Sequence, residues 1–170
     1  VQYPFLVRKG LINKSDWDNW GKSNSNLRVF GNKGIPGIDV TSGSLGHGVG
    51  IACGFAIADR MDHIERNNIV IISEGELYEG STWEALLFLK HQNLLSIKII
   101  LDVNRNMILG RPEDCLGLEN ICEKFTSFGF ENVRFDGHDY SKIINAMDFL
   151  FEKSNSPRII VADTIKGKGV

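Results

Sequence analysis

Cysteine is scarce in this 170-residue chain: it has three, Cys53, Cys115 and Cys122, and no two form a CxxC pair. That argues against a disulfide framework and offers no zinc spacing, and it suits a reduced, cytoplasmic setting. Long apolar runs are missing as well. Nothing approaches the roughly 18–20 residues of a membrane span; the longest stretches, such as 69–72 and 97–101, have strand length. Positive charge is not in excess, with 19 Lys and Arg against 21 Asp and Glu, so no basic field recommends nucleic acid as a partner. There is no GxGxxG between a first strand and helix and no P-loop lysine, which excludes a Rossmann-type nucleotide site. No signal-peptide pattern opens the chain. Residue 1 is Val, and the last residues stop in a glycine-rich turn. The expectation is one domain over 1–170, cropped at both ends from something longer.

What is present has globular proportions, 42% hydrophobic and 24% charged, enough for one sizeable core. Residues 1–10 read as a helix stopped by Gly10. Ser15 is placed to cap a short helix through Trp20, closed by Gly21. Residues 21–37, rich in Gly, Ser and Asn, read as a loop. The glycine turn Thr41-Ser42-Gly43-Ser44-Leu45-Gly46-His47-Gly48 leads into a small-residue helix over 49–61. Then strands at 68–72, 97–102, 132–135 and 158–163 alternate with helices at 81–92, 119–128 and 140–152. The strands are almost wholly apolar, as in strands buried on both faces. The pattern predicts an α/β fold, an open, mostly parallel sheet with helices on both faces.

In such sheets ligands bind beyond the carboxyl ends of the strands, and the polar clusters fall there. Glu74-Gly75-Glu76 follows the first strand and Asp102-Val103-Asn104-Arg105-Asn106 the second. A carboxylate beside glycine suits a divalent cation held against a phosphate oxygen, because magnesium prefers oxygen donors and takes only one or two carboxylates plus phosphates. Asn104 lies 30 residues after Glu74, about the length of one strand–helix–strand unit, so both return to one sheet edge. The Asn104 amide oxygen can meet the Glu74 carboxylate at one cation, and the Asn106 carbonyl can add a third oxygen. The glycines of 43–48 let backbone N–H groups approach an anion at a helix start. Each piece alone is also read as an ordinary turn or a solvated acidic loop.

The segment from Pro36 to Gly48 resembles the loop that precedes the small-residue helix of transketolases. Ser73-Glu74-Gly75-Glu76-Leu77-Tyr78-Glu79-Gly80-Ser81-Thr82-Trp83-Glu84-Ala85 resembles the family's Gly-Asp-Gly-Glu…Glu-Gly…Trp-Glu-Ala stretch. Asp102-Val103-Asn104, Asp136-Gly137-His138-Asp139 and the terminal Lys-Gly-Lys-Gly match in order and spacing. The resemblance implies a thiamine diphosphate-binding fold, with thiamine diphosphate and Mg2+ as cofactors. It assigns the metal to Glu74, Asn104 and the Asn106 carbonyl. Gly43, Leu45, Gly75, Glu76, Asn104 and Ile108 would meet the cofactor, Ile108 near its thiazolium ring. Glu79 and Glu84 match acidic positions linking paired active sites, and His47 stands near the cofactor loop. Their ordinary readings are a solvated helix start for the two acids and a structural histidine.

Two departures stand out. Ser73-Glu74 replaces Gly-Asp, which lengthens the carboxylate by one methylene. Phe30, in Val29-Phe30-Gly31-Asn32, stands where the family usually carries a histidine near the sugar phosphate. The implied reaction is transfer of a two-carbon ketol unit between sugars, as a transferase. Another thiamine diphosphate-dependent carboligase or decarboxylase, and a degenerate non-catalytic partner domain, stay open. The glutamate that activates the cofactor belongs to a pyrimidine-binding domain, in the same chain or a second subunit. The resemblance therefore implies a dimer or heterotetramer acting on a sugar or sugar phosphate.

Overall fold

The structure is a computed structural model, and it describes residues 2–169. The chain divides into two compact units, Val1–Ser44 and Leu45–Val170.

The smaller unit has two short helices, α1 (Gln2–Arg8) and α2 (Lys14–Asp18). Gly10 follows α1 at φ +70, and its N–H bonds to the Val7 carbonyl. Glycine takes that left-handed backbone at no steric cost. Ser15 is not the cap. Extended Asn13 holds that position, Ser15 lies inside the helix, and Trp20 lies outside it. The reason is local: Lys14 reaches Asp18 at 2.7 Å, one turn on, and the Asn19 amide donates to the Ser15 carbonyl at 2.9 Å. Together they close a single turn. Tyr3, Leu27, Ile35 and Ile38 form a small core, with Leu6, Ile12 and Trp17 packed against it.

The larger unit runs α3 (Gly48–Met61), β1 (Asn68–Ser73), a 3-10 turn (Glu74–Tyr78), α4 (Gly80–His91), β2 (Ile97–Val103), α5 (Pro112–Cys115), α6 (Ile121–Ser127), β3 (Glu131–Asp136), α7 (Tyr140–Phe151) and β4 (Arg158–Asp163). The four strands form one parallel sheet in the order β1-β2-β4-β3. One face is the main core: Val70, Ile72, Ile97, Ile99, Leu101, Ile159 and Val161 meet Val49, Ala52, Ala56, Leu86, Leu89 and Phe125 of α3, α4 and α6. Trp83 stacks on Phe125 there and donates its indole N–H to the Leu77 carbonyl, so its polar tip is satisfied.

The opposite face carries α7, whose Ala146 and Leu150 pack on Ile160 beside Ile100, Val133 and Phe135. Burial on both faces, expected of every strand, does not extend to β1, where Ile69 and Ile71 are 55% and 71% exposed. A helix is about 10 Å wide and strands lie about 4.8 Å apart. One helix therefore covers β3 and β4 and reaches β2, and it leaves the β1 edge bare.

Candidate functional site

Glu74 leaves the end of β1 and is only 6% exposed. Its Oε2 accepts the Arg105 backbone N–H at 2.6 Å. In the parallel register Ser73 lies opposite Asp102, so the mouths of β1 and β2 face each other. Burial, helped by the neighbouring Asp102 carboxylate, pushes the Glu74 acid above its usual 4.5 against the pull of the Arg105 N–H. Burial dominates this shift, since the Arg105 charge and the backbone N–H groups pull the other way, and the ion pairs among the described residues do not include Glu74.

Asn104 sits half-buried just past β2. Its Nδ2 donates to Asp102 Oδ2 at 2.8 Å, and its Oδ1 accepts the Asn106 N–H at 3.1 Å. Asn106 is exposed in the same loop, next to Arg105 at φ +54. Ile108 is 99% exposed at the tip of a two-residue hairpin closed by Met107 and Gly110.

The donors gathered here are all oxygens: one buried carboxylate, one amide and nearby carbonyls. No group of three or more His, Cys, Asp or Glu suited to a metal occurs among the described residues. An all-protein cage is therefore not what the chain offers. The set fits magnesium, which is held by one or two carboxylates and completes its shell with phosphate and water.

Gly75 carries the next argument. A Cβ added there would meet nothing closer than 3.7 Å, so the protein's own packing does not require glycine. Glycine at such a point suits close approach of a ligand to backbone. Gly46 differs. It sits at φ +81, and a Cβ would come within 2.7 Å of the Glu79 Cβ and closer still to the Ser81 hydroxyl. The Ser81 hydroxyl also donates to the Gly46 carbonyl at 3.0 Å.

Glu76 belongs to the scaffold of this loop. Its Oε1 accepts the Gly46 N–H at 3.3 Å and its Oε2 the Ser73 N–H at 3.1 Å, the latter closing a capping box around the 3-10 turn. Leu45, 45% exposed, lies beside Gly75. His47 is exposed and its Nδ1–H donates to the Leu45 carbonyl at 3.0 Å. Glu79 and Glu84 are exposed, with Glu79 at the N-cap of α4 without a side-chain cap bond. Gly43 falls in the smaller unit, where an added Cβ would meet the Phe30 ring at 3.8 Å.

Sequence reasoning passed over Thr164. Its hydroxyl donates to Asp102 Oδ1 at 2.5 Å. The signal was a hydroxyl residue one step beyond an apolar strand, at the sheet end where ligands bind.

A parallel α/β sheet with oxygen donors and a ligand-ready glycine at adjoining strand ends defines a domain suited to an anion held through a divalent cation. The family described as "Transketolase, thiamine diphosphate binding domain" matches residues 31–170, and the chain belongs to it. One of the subunits of an apulose-4-phosphate transketolase from Phocaeicola vulgatus is 32% identical over 99% of this chain and 60% of its own length. A 6-deoxy-6-sulfo-D-fructose transketolase subunit from Clostridium sp. is 37% identical over 78% of this chain and 48% of its own length. The Campylobacter jejuni transketolase crystal structure superposes with a TM-score of 0.83 at 30% identity, covering 91% of this chain and 26% of that one. The chain thus spans 60% or less of the length of these relatives. No helix among the described residues is long and apolar enough to cross a membrane.

Proposed function

We propose that this chain is the diphosphate- and magnesium-binding part of a thiamine diphosphate-dependent transketolase, a cytoplasmic transferase that moves a two-carbon ketol unit between sugars. The observation that carries this reading is the buried Glu74 carboxylate, outside every ion pair among the described residues, with the half-buried Asn104 at the neighbouring strand mouth. Glu74, Asn104 and the Asn106 carbonyl would hold the magnesium. Gly75 would let backbone approach the diphosphate, Gly43 and Leu45 would touch the cofactor, and Ile108 would lie along its thiazolium ring. The carbon–carbon chemistry is supplied by the cofactor when bound; the protein contributes binding and orientation.

Glu76 acts one step back, by fixing the Gly46 turn to the end of β1. Exposed Glu79, Glu84 and His47 suit contacts with a partner domain or substrate. The catalytic unit is completed by a pyrimidine-binding domain, in the same polypeptide or a second subunit, within a dimer or heterotetramer. Relatives named as individual transketolase subunits support the second arrangement. Their named substrates, a sugar phosphate and a sulfosugar, support a modified sugar here, as does apolar Phe30 at 61% exposure. The test is titration of the full protein by thiamine diphosphate with and without magnesium. Magnesium-dependent binding that weakens sharply in Asn104→Ala is expected. Absence of binding sinks the reading and leaves a non-catalytic partner domain in its place.

A further inference from the structure

An asparagine amide is a useful metal ligand only when its oxygen, not its NH2, faces the ion. Two neighbours fix that choice for Asn104. Asp102, an acceptor only when ionised, takes the Nδ2 hydrogen at 2.8 Å, and the Asn106 N–H, a donor only, takes Oδ1 at 3.1 Å. Asp102 is itself held. The Thr164 hydroxyl donates to its other oxygen at 2.5 Å, and the Thr164 N–H bonds to the Val103 carbonyl at 2.9 Å.

Thr164 in turn is braced by the turn after β3. Gly137 lies so close that a Cβ there would meet Thr164 Cγ2 at 2.8 Å and the Asp163 carbonyl at 3.1 Å. The Gly137 N–H donates to that carbonyl at 2.8 Å. The next residue, His138, accepts the Ile165 N–H on Nε2 at 2.8 Å. The Asp136–His138 turn thus grips the residues on either side of Thr164, and Thr164 in turn holds Asp102, the partner of Asn104.

We propose that Asp102 and Thr164, backed by the Asp136–His138 turn, are positioning residues that present the Asn104 amide oxygen to the magnesium. The proposal rests on the reading of the site given above. Partners behind a metal ligand set its orientation, and removing them costs about 10–100-fold in metal affinity.

The experiment is a magnesium titration of the full protein, with its second domain or subunit, at fixed thiamine diphosphate. It compares wild type with Thr164→Val, Thr164→Ser, Asp102→Asn and Asp102→Ala, and the melting temperature of each is taken without metal. Thr164→Val removes no charge and is expected to raise the magnesium Kd about tenfold, with its metal-free melting temperature close to that of Thr164→Ser. Thr164→Ser keeps the hydroxyl and is expected to retain wild-type affinity. Asp102→Asn keeps an acceptor for Asn104 and is expected to lie between wild type and Asp102→Ala.

An unchanged Kd in Thr164→Val overturns the proposal while leaving the magnesium site standing. Equal loss in Asp102→Asn and Asp102→Ala assigns the effect to charge and overturns it too. So does a loss in Thr164→Val that Thr164→Ser fails to restore. A wild type that takes up no magnesium removes the site and this proposal together.

Discussion

The amino ends of the strands and the mouth of β1 treat their carboxylates differently. At the amino ends, Asp59 of α3 takes Arg66 at 2.5 Å and the Asn68 amide at 3.1 Å, and Glu131 takes Arg158 at 2.7 Å and the Ser154 hydroxyl at 3.0 Å. These bonds, led by Asn68 for Asp59 and by Arg158 for Glu131, hold both acids below their usual values. At the mouth of β1, Glu74 is just as buried as Asp59 but is raised, because burial and the nearby Asp102 carboxylate outweigh the backbone N–H groups and the Arg105 charge that pull it down. A carboxylate matched within the chain serves the fold. One raised by burial at the ligand-binding edge is a candidate for function. Substitutions at the two ends should therefore separate stability from cofactor affinity.

The largest effect is expected where the two roles meet, at Gly46. Its φ of +81 and the Glu79 Cβ at 2.7 Å leave no room for a side chain. Gly46→Ala should cost about 3 kcal/mol in chemical denaturation, from backbone strain and overpacking together. A loss below about 1 kcal/mol would show that the turn yields and that Gly46 is not a packing glycine.

Next is Glu74→Gln, which keeps the shape and removes the charge. Magnesium affinity should fall by about a hundredfold, roughly 2.7 kcal/mol by the usual conversion. Stability of the metal-free protein should stay level or rise, since a buried charge outside those ion pairs is removed. Lost stability with affinity intact would place Glu74 with Asp59 as a structural acid and erase the contrast between the ends. Gly75→Ala sharpens the same point. With nothing closer than 3.7 Å to its Cβ, it should leave stability within about 1 kcal/mol yet weaken thiamine diphosphate about tenfold. Unchanged cofactor affinity would count against a ligand approaching at Gly75.

Much of this arrangement was legible in the chain itself. The apolar runs at 68–72 and 97–102 marked β1 and β2, and the 30-residue return from Glu74 to Asn104 anticipated their pairing, seen with Ser73 opposite Asp102. Composition could not say that β1 is an edge strand. Ile69 and Ile71 look the same in sequence whether or not a helix covers them. The Lys14–Asp18 pair beat Ser15 in setting the start of α2, because a one-turn helix is decided by whichever local contact closes it. Glu76 read as a ligand residue, whereas its bond to Gly46, 30 residues earlier, is visible only once the chain is folded. Thr164 was silent for the same reason. Its partner Asp102 lies 62 residues away and is reached through the β2–β4 register that pairs Val103 with Asp163.

The smallest expected effect tests the amino end alone. Asp59 has its acidity lowered from 3.8 in the folded protein. A depressed acid contributes stability that is present above its unfolded value and lost as pH falls through the folded one. The melting temperature of Asp59→Asn should therefore lie below wild type at neutral pH, and the two curves should converge as pH drops below 3.8. Arg66 is 58% exposed, so added salt should narrow the neutral-pH gap by screening the pair. Magnesium affinity should not move, since Asp59 sits at the opposite end of β1 from Glu74. Parallel melting curves across the pH range would show that the Asn68 and Arg66 bonds are as good to a neutral amide. A shift in magnesium affinity would show instead that the two ends of the strand are coupled, and that stability at one is spent on geometry at the other.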